Sequence, residues 1–170
     1  LFANNVKYNK LGSIAPALTN AILSTFIAKA IMGVAQKRKV PKLAAKTLKK
    51  WYQKQHSSKN KKIVYLFCDE FTNFYDVEIG KDAFYLFEKL GYNLQIVNHE
   101  ESGRSFISKG FLKEAKAVCN LNIAIFKDLI TEATPLIGVE PSAILTFRDE
   151  YVRLADDKKS AEKIAKNVFT

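Results

Sequence analysis

Ile63-Val64-Tyr65-Leu66-Phe67-Cys68, followed at once by Asp69-Glu70-Phe71-Thr72-Asn73-Phe74, is the stretch on which the reading of the fold turns. Six apolar residues without polar alternation fit a strand buried on both faces, and the polar pair after them ends it. Gly80–Leu90 then reads as a helix stopped by Gly91, and Asn93–Val97 as a second strand. Strand, helix and strand in that order form a parallel unit with a right-handed crossover. Gly103–Val118 and Ile123–Glu132 read as helices and Leu136–Val139 as a short third strand. Pro141 opens a helix running through Ala143 to Tyr151. The expected fold class is α/β: a small parallel sheet in a three-layer α/β/α sandwich, preceded by a helical arm. The dense aromatics Phe71, Phe74, Tyr75, Phe84, Tyr85 and Phe87 are expected in the core.

Upstream of that unit the composition changes. The chain carries a net charge of +10, yet residues 1–62 hold 14 Lys and Arg and no Asp or Glu. This predicts three parts: a basic helical arm over 1–61, an α/β domain over 62–156, and over 157–170 the start of a following helix. Within the arm, 14–34 reads as one helix opened by Ser13 with Pro16 in its first turn, and 46–55 as a shorter basic helix. The polar run His56 to Lys62 reads as a linker. Such charge asymmetry points to an acidic partner, an anionic surface or an adjoining domain.

Three uses of the arm stand side by side. Nucleic acid would engage Lys37, Arg38, Lys39, Lys49 and Lys50 with Trp51 as a stacking face, but no zinc-finger or RRM pattern accompanies them. A membrane surface would take Phe26, Ile27, Ile31 and Met32 as inserting side chains between flanking lysines. Asn20, Ser24, Thr25 and Lys29 interrupt that run, which weighs against a spanning helix. In the third and favoured use, the apolar stripe packs on another part of the same protein, with Trp51 as an interface anchor.

Two further stretches lie after the predicted strands: Glu101-Ser102-Gly103-Arg104 and Gly138-Val139-Glu140-Pro141-Ser142-Ala143. With Asp69–Phe74, Gly103–Leu112 and Thr146–Tyr151, they resemble, in the same order, the cysteine-rich (CCG) domain of heterodisulfide-reductase-like and FAD-linked 2-hydroxy-acid oxidoreductases. In that family the first stretch reads Cys-Cys-Gly-Arg and the second ends Pro-Ser-Cys, so Glu101, Ser102 and Ala143 stand where thiolates would be. Cys68 and Glu70 compete for the position of the first ligand.

The resemblance implies a parent enzyme with FAD and 4Fe–4S clusters oxidising lactate, glycolate or 2-hydroxyglutarate. Its partners would be a ferredoxin-type cluster domain and a second cysteine-rich half. Its place would be cytoplasmic, or peripheral to the inner face of the membrane. It also implies that this chain is a piece without a cofactor of its own, structural and docking in role, with no catalytic residue. Leu1 is not a start methionine, and no basic start followed by an apolar segment and a cleavage site is visible.

The degenerate cluster positions that the resemblance implies are Cys68, Glu70, Glu101, Ser102, Gly103, Arg104, Glu140, Pro141, Ser142 and Ala143. The strand-end loops would gather Glu70, His99, Glu100, Glu101, Ser102, Arg104 and Glu140 at one edge of the sheet. Three chemistries fit that set. His99, Glu101 and Glu140 could bind a divalent cation, though their spacing matches no metal motif. Crowded carboxylates could raise one another's pKa for acid–base work. A capping and ion-pair network, with Arg104 on Glu101 or Glu140 and Ser102 capping a helix, is the third and best-supported reading. No dinucleotide fingerprint, phosphate loop or nucleophile elbow occurs.

Overall fold

A computed structural model describes residues 2–55 and 62–170. The expected linker at His56 to Lys62 therefore lies outside the described residues, apart from Lys62, which opens the first strand. The arm comprises α1 (Asn5–Gly12), α2 (Pro16–Leu23), α3 (Phe26–Ile31) and α4 (Leu48–Tyr52). The body continues with β1 (Lys62–Leu66), α5 (Glu70–Phe74), α6 (Val77–Lys89), β2 (Tyr92–Gln95), α7 (Arg104–Ser108) and α8 (Leu112–Phe126). It closes with β3 (Leu136–Ile137), α9 (Pro141–Ile144), α10 (Glu150–Leu154), α11 (Lys158–Ala165) and β4 (Val168–Phe169).

The four strands form one parallel sheet in the order β2-β1-β3-β4. This is the α/β class expected from the sequence. Side chains alternate across β1 because successive Cβ atoms point to opposite faces. Val64 and Leu66 meet Leu48, Val77, Phe84 and Leu94 on one side. Tyr65 and Phe67 meet Phe126, Phe147, Tyr151 and Ile164 on the other. Burying a large apolar side chain contributes roughly 1.5–3 kcal/mol, so these two cores carry the body.

The structure differs from the expected elements where local chemistry outweighs periodicity. The single helix expected over 14–34 is broken because Ser24 Oγ donates to the Ala21 carbonyl and Thr25 Oγ1 to that of Ile22, both at 2.7 Å. Thr25 then caps α3. The helix expected over 103–118 breaks at Gly110, whose φ of +77° is left-handed, and α8 absorbs the start of the helix expected at Ile123–Glu132. The following helix expected to start within 157–170 extends only over Lys158–Ala165. Val168 and Phe169 pair with Leu136 and Ile137 instead, so 158–169 belongs to the same sheet and core. Two-residue strands are too short for period-2 patterning to register.

Helix α4 is built into the body. Leu48 is fully buried, and Gly80 leaves α6 room for it: a Cβ there would lie 2.2 Å from Leu48 Cδ2. Trp51, expected as an anchor for a partner, instead packs edge-on against Phe84 and Tyr85 at 5.4 and 5.8 Å. By contrast α2 and α3 contain no buried residue, so the apolar stripe expected to pack is covered by no described part of this chain. No described helix is long and apolar enough to cross a membrane.

Candidate functional site

β1 leads to β2 on one side and β3 lies on its other side, so the chain reverses direction across the sheet beside β1. In open parallel sheets the crevice beyond such a point is where ligands bind. Here the crevice begins with Asp69, which caps α5: its Oδ1 accepts from the Phe71 and Thr72 amides at 2.8 and 3.0 Å, and its Oδ2 from Thr72 Oγ1 at 2.6 Å. Burial pushes its carboxyl up to about 6 against those stabilising donors.

Glu70 follows, only 3 % exposed, and reaches across to the loop after β2. Its carboxylate accepts from the Ser102 amide at 3.0 Å and from Ser102 Oγ at 2.7 Å. Ser102 Oγ in turn accepts from the Arg104 amide at 3.0 Å, so one hydroxyl ties a buried carboxylate to the start of α7. Gly103 makes that turn possible with φ +70°. Behind it, Tyr151 donates to the Ser102 carbonyl at 2.9 Å and accepts from Asn122 Nδ2 at 2.9 Å. Asn122 also donates to the Glu101 carbonyl at 2.8 Å and accepts from the Glu100 amide at 3.0 Å.

His99 is held between these loops. The Cys68 amide donates to its Nε2 at 3.1 Å, so Nε2 must carry the lone pair, and Nδ1 donates to the Glu100 carbonyl at 2.6 Å. Burial, with the nearby Lys49 charge, pushes the imidazole down to about 3 and keeps it neutral. Its ring stacks on Phe67 at 4.4 Å. Lys49 donates Nζ to the His99 carbonyl at 2.9 Å, so it is a strut within the chain and not a free interface cation.

A cleft of about 310 Å³ opens over this network, lined among others by Lys10, Lys49, Cys68, Glu70, His99 and Glu101. Glu101 Oε2 is buried there without a partner. Burial and the facing Glu70 push the Glu101 carboxyl up to about 7.

The loop after β3 does not line the cleft. Glu140 turns back to cap α9, accepting from the Ser142 amide at 3.1 Å and Ser142 Oγ at 2.6 Å, with Pro141 in the first turn and Ala143 fully buried in the core. That segment reaches the β2 loop through α10 instead, by Tyr151 and by Glu150. Arg104 pairs with Glu150 at 2.5 Å, not with Glu101 or Glu140 as expected, because its amide is fixed by Ser102 and α10 packs nearby. The grouping of His99, Glu101 and Glu140 as cation ligands is not formed. Glu140 is spent on its cap and the His99 Nε2 lone pair on a backbone amide. Among the described residues no group of three His, Cys, Asp or Glu could hold a metal ion.

No family model matches the chain, and no solved structure matches it. Curated proteins do. The chain is 28% identical over 97 residues to D-2-hydroxyglutarate dehydrogenase of Haemophilus influenzae, covering 57% of this chain and 9% of that protein. It is 30% identical over 83 residues to the Escherichia coli protein of the same name, covering 49% of this chain and 8% of that one. Against one subunit of the E. coli anaerobic glycerol-3-phosphate dehydrogenase it is 24% identical over 126 residues, 72% of this chain and 32% of that protein. The chain is related to segments of oxidoreductases. It spans about a tenth to a third of the length of these relatives.

A four-iron cluster needs about four thiolates. This chain has two cysteines, both free and buried. Cys68 Sγ faces Asn73 Oδ1 at 3.7 Å, and burial pushes its thiol up to about 12. Cys119 lies in the core against the Tyr151 carbonyl at 3.8 Å, its thiol likewise pushed up to about 12 by burial. These residues do not fit the cluster that the resembling family holds.

Asn122 escaped sequence reasoning, and Tyr151 was read only as the end of the Thr146–Tyr151 stretch, not as a support of the site. The signal for Asn122 was present: it falls on the stripe of α8 that also buries Cys119 and Phe126, where a polar side chain needs a reason.

Proposed function

We propose that this chain is a cysteine-poor counterpart of the cysteine-rich (CCG) domain of FAD- and iron–sulfur-dependent oxidoreductases acting on 2-hydroxy acids such as lactate, glycolate or 2-hydroxyglutarate. It serves such an enzyme as a structural segment and not as a site of chemistry. The observation that carries this reading is the Glu70–Ser102 contact. Two loops that the family joins through metal-bound sulfur are here joined by a carboxylate, a hydroxyl and an amide. The names of the relatives support the oxidoreductase class, and those of the D-2-hydroxyglutarate dehydrogenases among them favour a 2-hydroxy acid. The partners of the segment are then the ferredoxin-type cluster domain and the second cysteine-rich half of the parent, which hold the clusters, while FAD sits elsewhere in it.

The test is made on the whole gene product that carries these residues, purified with its flavin and iron. It oxidises a 2-hydroxy acid with an artificial electron acceptor, whereas this chain alone does not. Ser102→Ala lowers the yield of assembled enzyme and leaves iron per assembled molecule unchanged. A loss of iron in proportion to Ser102 replacement would show that the network still carries a cluster.

A further inference from the structure

Helix α2 is mounted with its polar side inward. Thr19 Oγ1 donates to the Gly12 carbonyl at 2.9 Å, and Asn20 makes a reciprocal pair with the Leu43 backbone, both bonds 2.9 Å. With those residues turned to the body, Ile14, Leu18 and Ile22 point outward, and Phe26, Ile27 and Ile31 on α3 are uncovered as well, each of the six more than half exposed and Ile31 82%. Ile14, Leu18 and Ile22 recur every four residues and so share one side of the chain there. Phe26, Ile27 and Ile31 follow directly, and uncovered apolar side chains grouped in this way mark an interaction surface. Its surroundings say which. Residues 11–28 carry no charge and are bracketed by Lys10 and Lys29, with Lys37, Arg38, Lys39 and Lys42 following.

Of the 14 basic residues in 1–62, 13 are lysine, and the segment itself contains no Asp or Glu, Lys10 and Lys49 being the ones that line the cleft beside Glu70 and Glu101. A second copy of this face is disfavoured, since it would bring two such cationic segments together. Protein interfaces are depleted in lysine. Anionic headgroups attract it, while large apolar side chains enter the headgroup and acyl boundary beneath.

We infer that α2 and α3 form a docking surface for an anionic lipid bilayer, with Phe26, Ile27 and Ile31 inserted and the lysines against the headgroups. The helices lie on the membrane and do not cross it.

The whole chain is sedimented with vesicles of phosphatidylcholine containing about 30% phosphatidylserine, and with pure phosphatidylcholine. Binding is expected to the anionic vesicles, to weaken as salt rises, and to fall at least about tenfold in the Phe26→Ser, Ile31→Ser double variant. Both positions are solvent-exposed, so that variant should keep the urea midpoint of the wild type. No binding to anionic vesicles overturns the inference. So does binding that the double variant leaves intact, which would be charge attraction alone. A wild-type oligomer in light scattering that the double variant abolishes would overturn it as well, making the face a protein contact.

Discussion

Replacing Ser102 by alanine removes a single oxygen that is fully buried and serves two partners. Its donation to the Glu70 carboxylate, at 2.7 Å, is charge-assisted. Bonds of that kind contribute about 1.5–3 kcal/mol. Its acceptance of the Arg104 amide, at 3.0 Å, is a helix-start contact. Losing such a contact costs about 1 kcal/mol. Glu70 keeps the Ser102 amide, so the carboxylate is weakened and not abandoned. The sum is a destabilisation of about 3 kcal/mol.

Urea unfolding followed by fluorescence measures it, because Trp51 is the only tryptophan and packs on Phe84 and Tyr85 in the body. Ser142→Ala is the control: its hydroxyl also donates to a glutamate, at 2.6 Å, but in an exposed cap. That variant should lose less than about 1 kcal/mol. The Glu70→Gln, Ser102→Ala double-mutant cycle should give a coupling of about 1–3 kcal/mol. If Ser102→Ala loses no more than Ser142→Ala, or the cycle shows no coupling, the buried pair is not what joins the loops.

Other consequences follow from the same network. At about pH 5, where a free imidazole is charged, nitrogen NMR should find His99 neutral with its proton on Nδ1; a charged ring refutes the assigned hydrogen bonds. Because its pKa falls from 6.5 to about 3 on folding, the stability it contributes is complete above 6.5 and lost as pH falls toward 3. Glu101 has the opposite sign. Its carboxyl rises from 4.5 to about 7, so the folded state keeps a proton that the unfolded chain gives up, and stability drops as pH rises through that window. Glu101→Gln should therefore gain ~1 kcal/mol over wild type between those pH values and level off above them, whereas a flat difference contradicts the placement. Tyr151→Phe strands the Ser102 carbonyl and one Asn122 donor. It should cost about 1–3 kcal/mol in urea unfolding, and a neutral result would mean that the loop does not rest on α10.

The α/β class was legible because Ile63–Cys68 is long and unbroken enough to read as a buried strand, with Gly91 marking the end of the next helix. Strand β4 was not, since Val168 falls four residues after Ile164, a helical spacing, and only pairing with β3 distinguishes strand from helix. At the site, Ser102 stood out where a thiolate would be and Glu70 as a competitor of Cys68 for the first ligand's position. The parallel sheet puts their two loops at one edge, but the hydrogen bonds that join them were not legible. The pairing of Arg104 with Glu150 was hidden. The two lie 46 positions apart, and nothing local distinguishes Glu150 from Glu101 or Glu140 as a partner. The inward-turned polar face of α2 was hidden too, because Asn20 looks like an interruption of an apolar stripe until Leu43 is seen to pair with it.

Iron and acid-labile sulfide measured on the chain purified without oxygen bear most directly on the central claim that a carboxylate and a hydroxyl have replaced a sulfur-held cluster. The account predicts neither above background and no visible absorbance that bleaches with dithionite. Stoichiometric iron and sulfide, with such a chromophore lost on replacing Cys68, would contradict it.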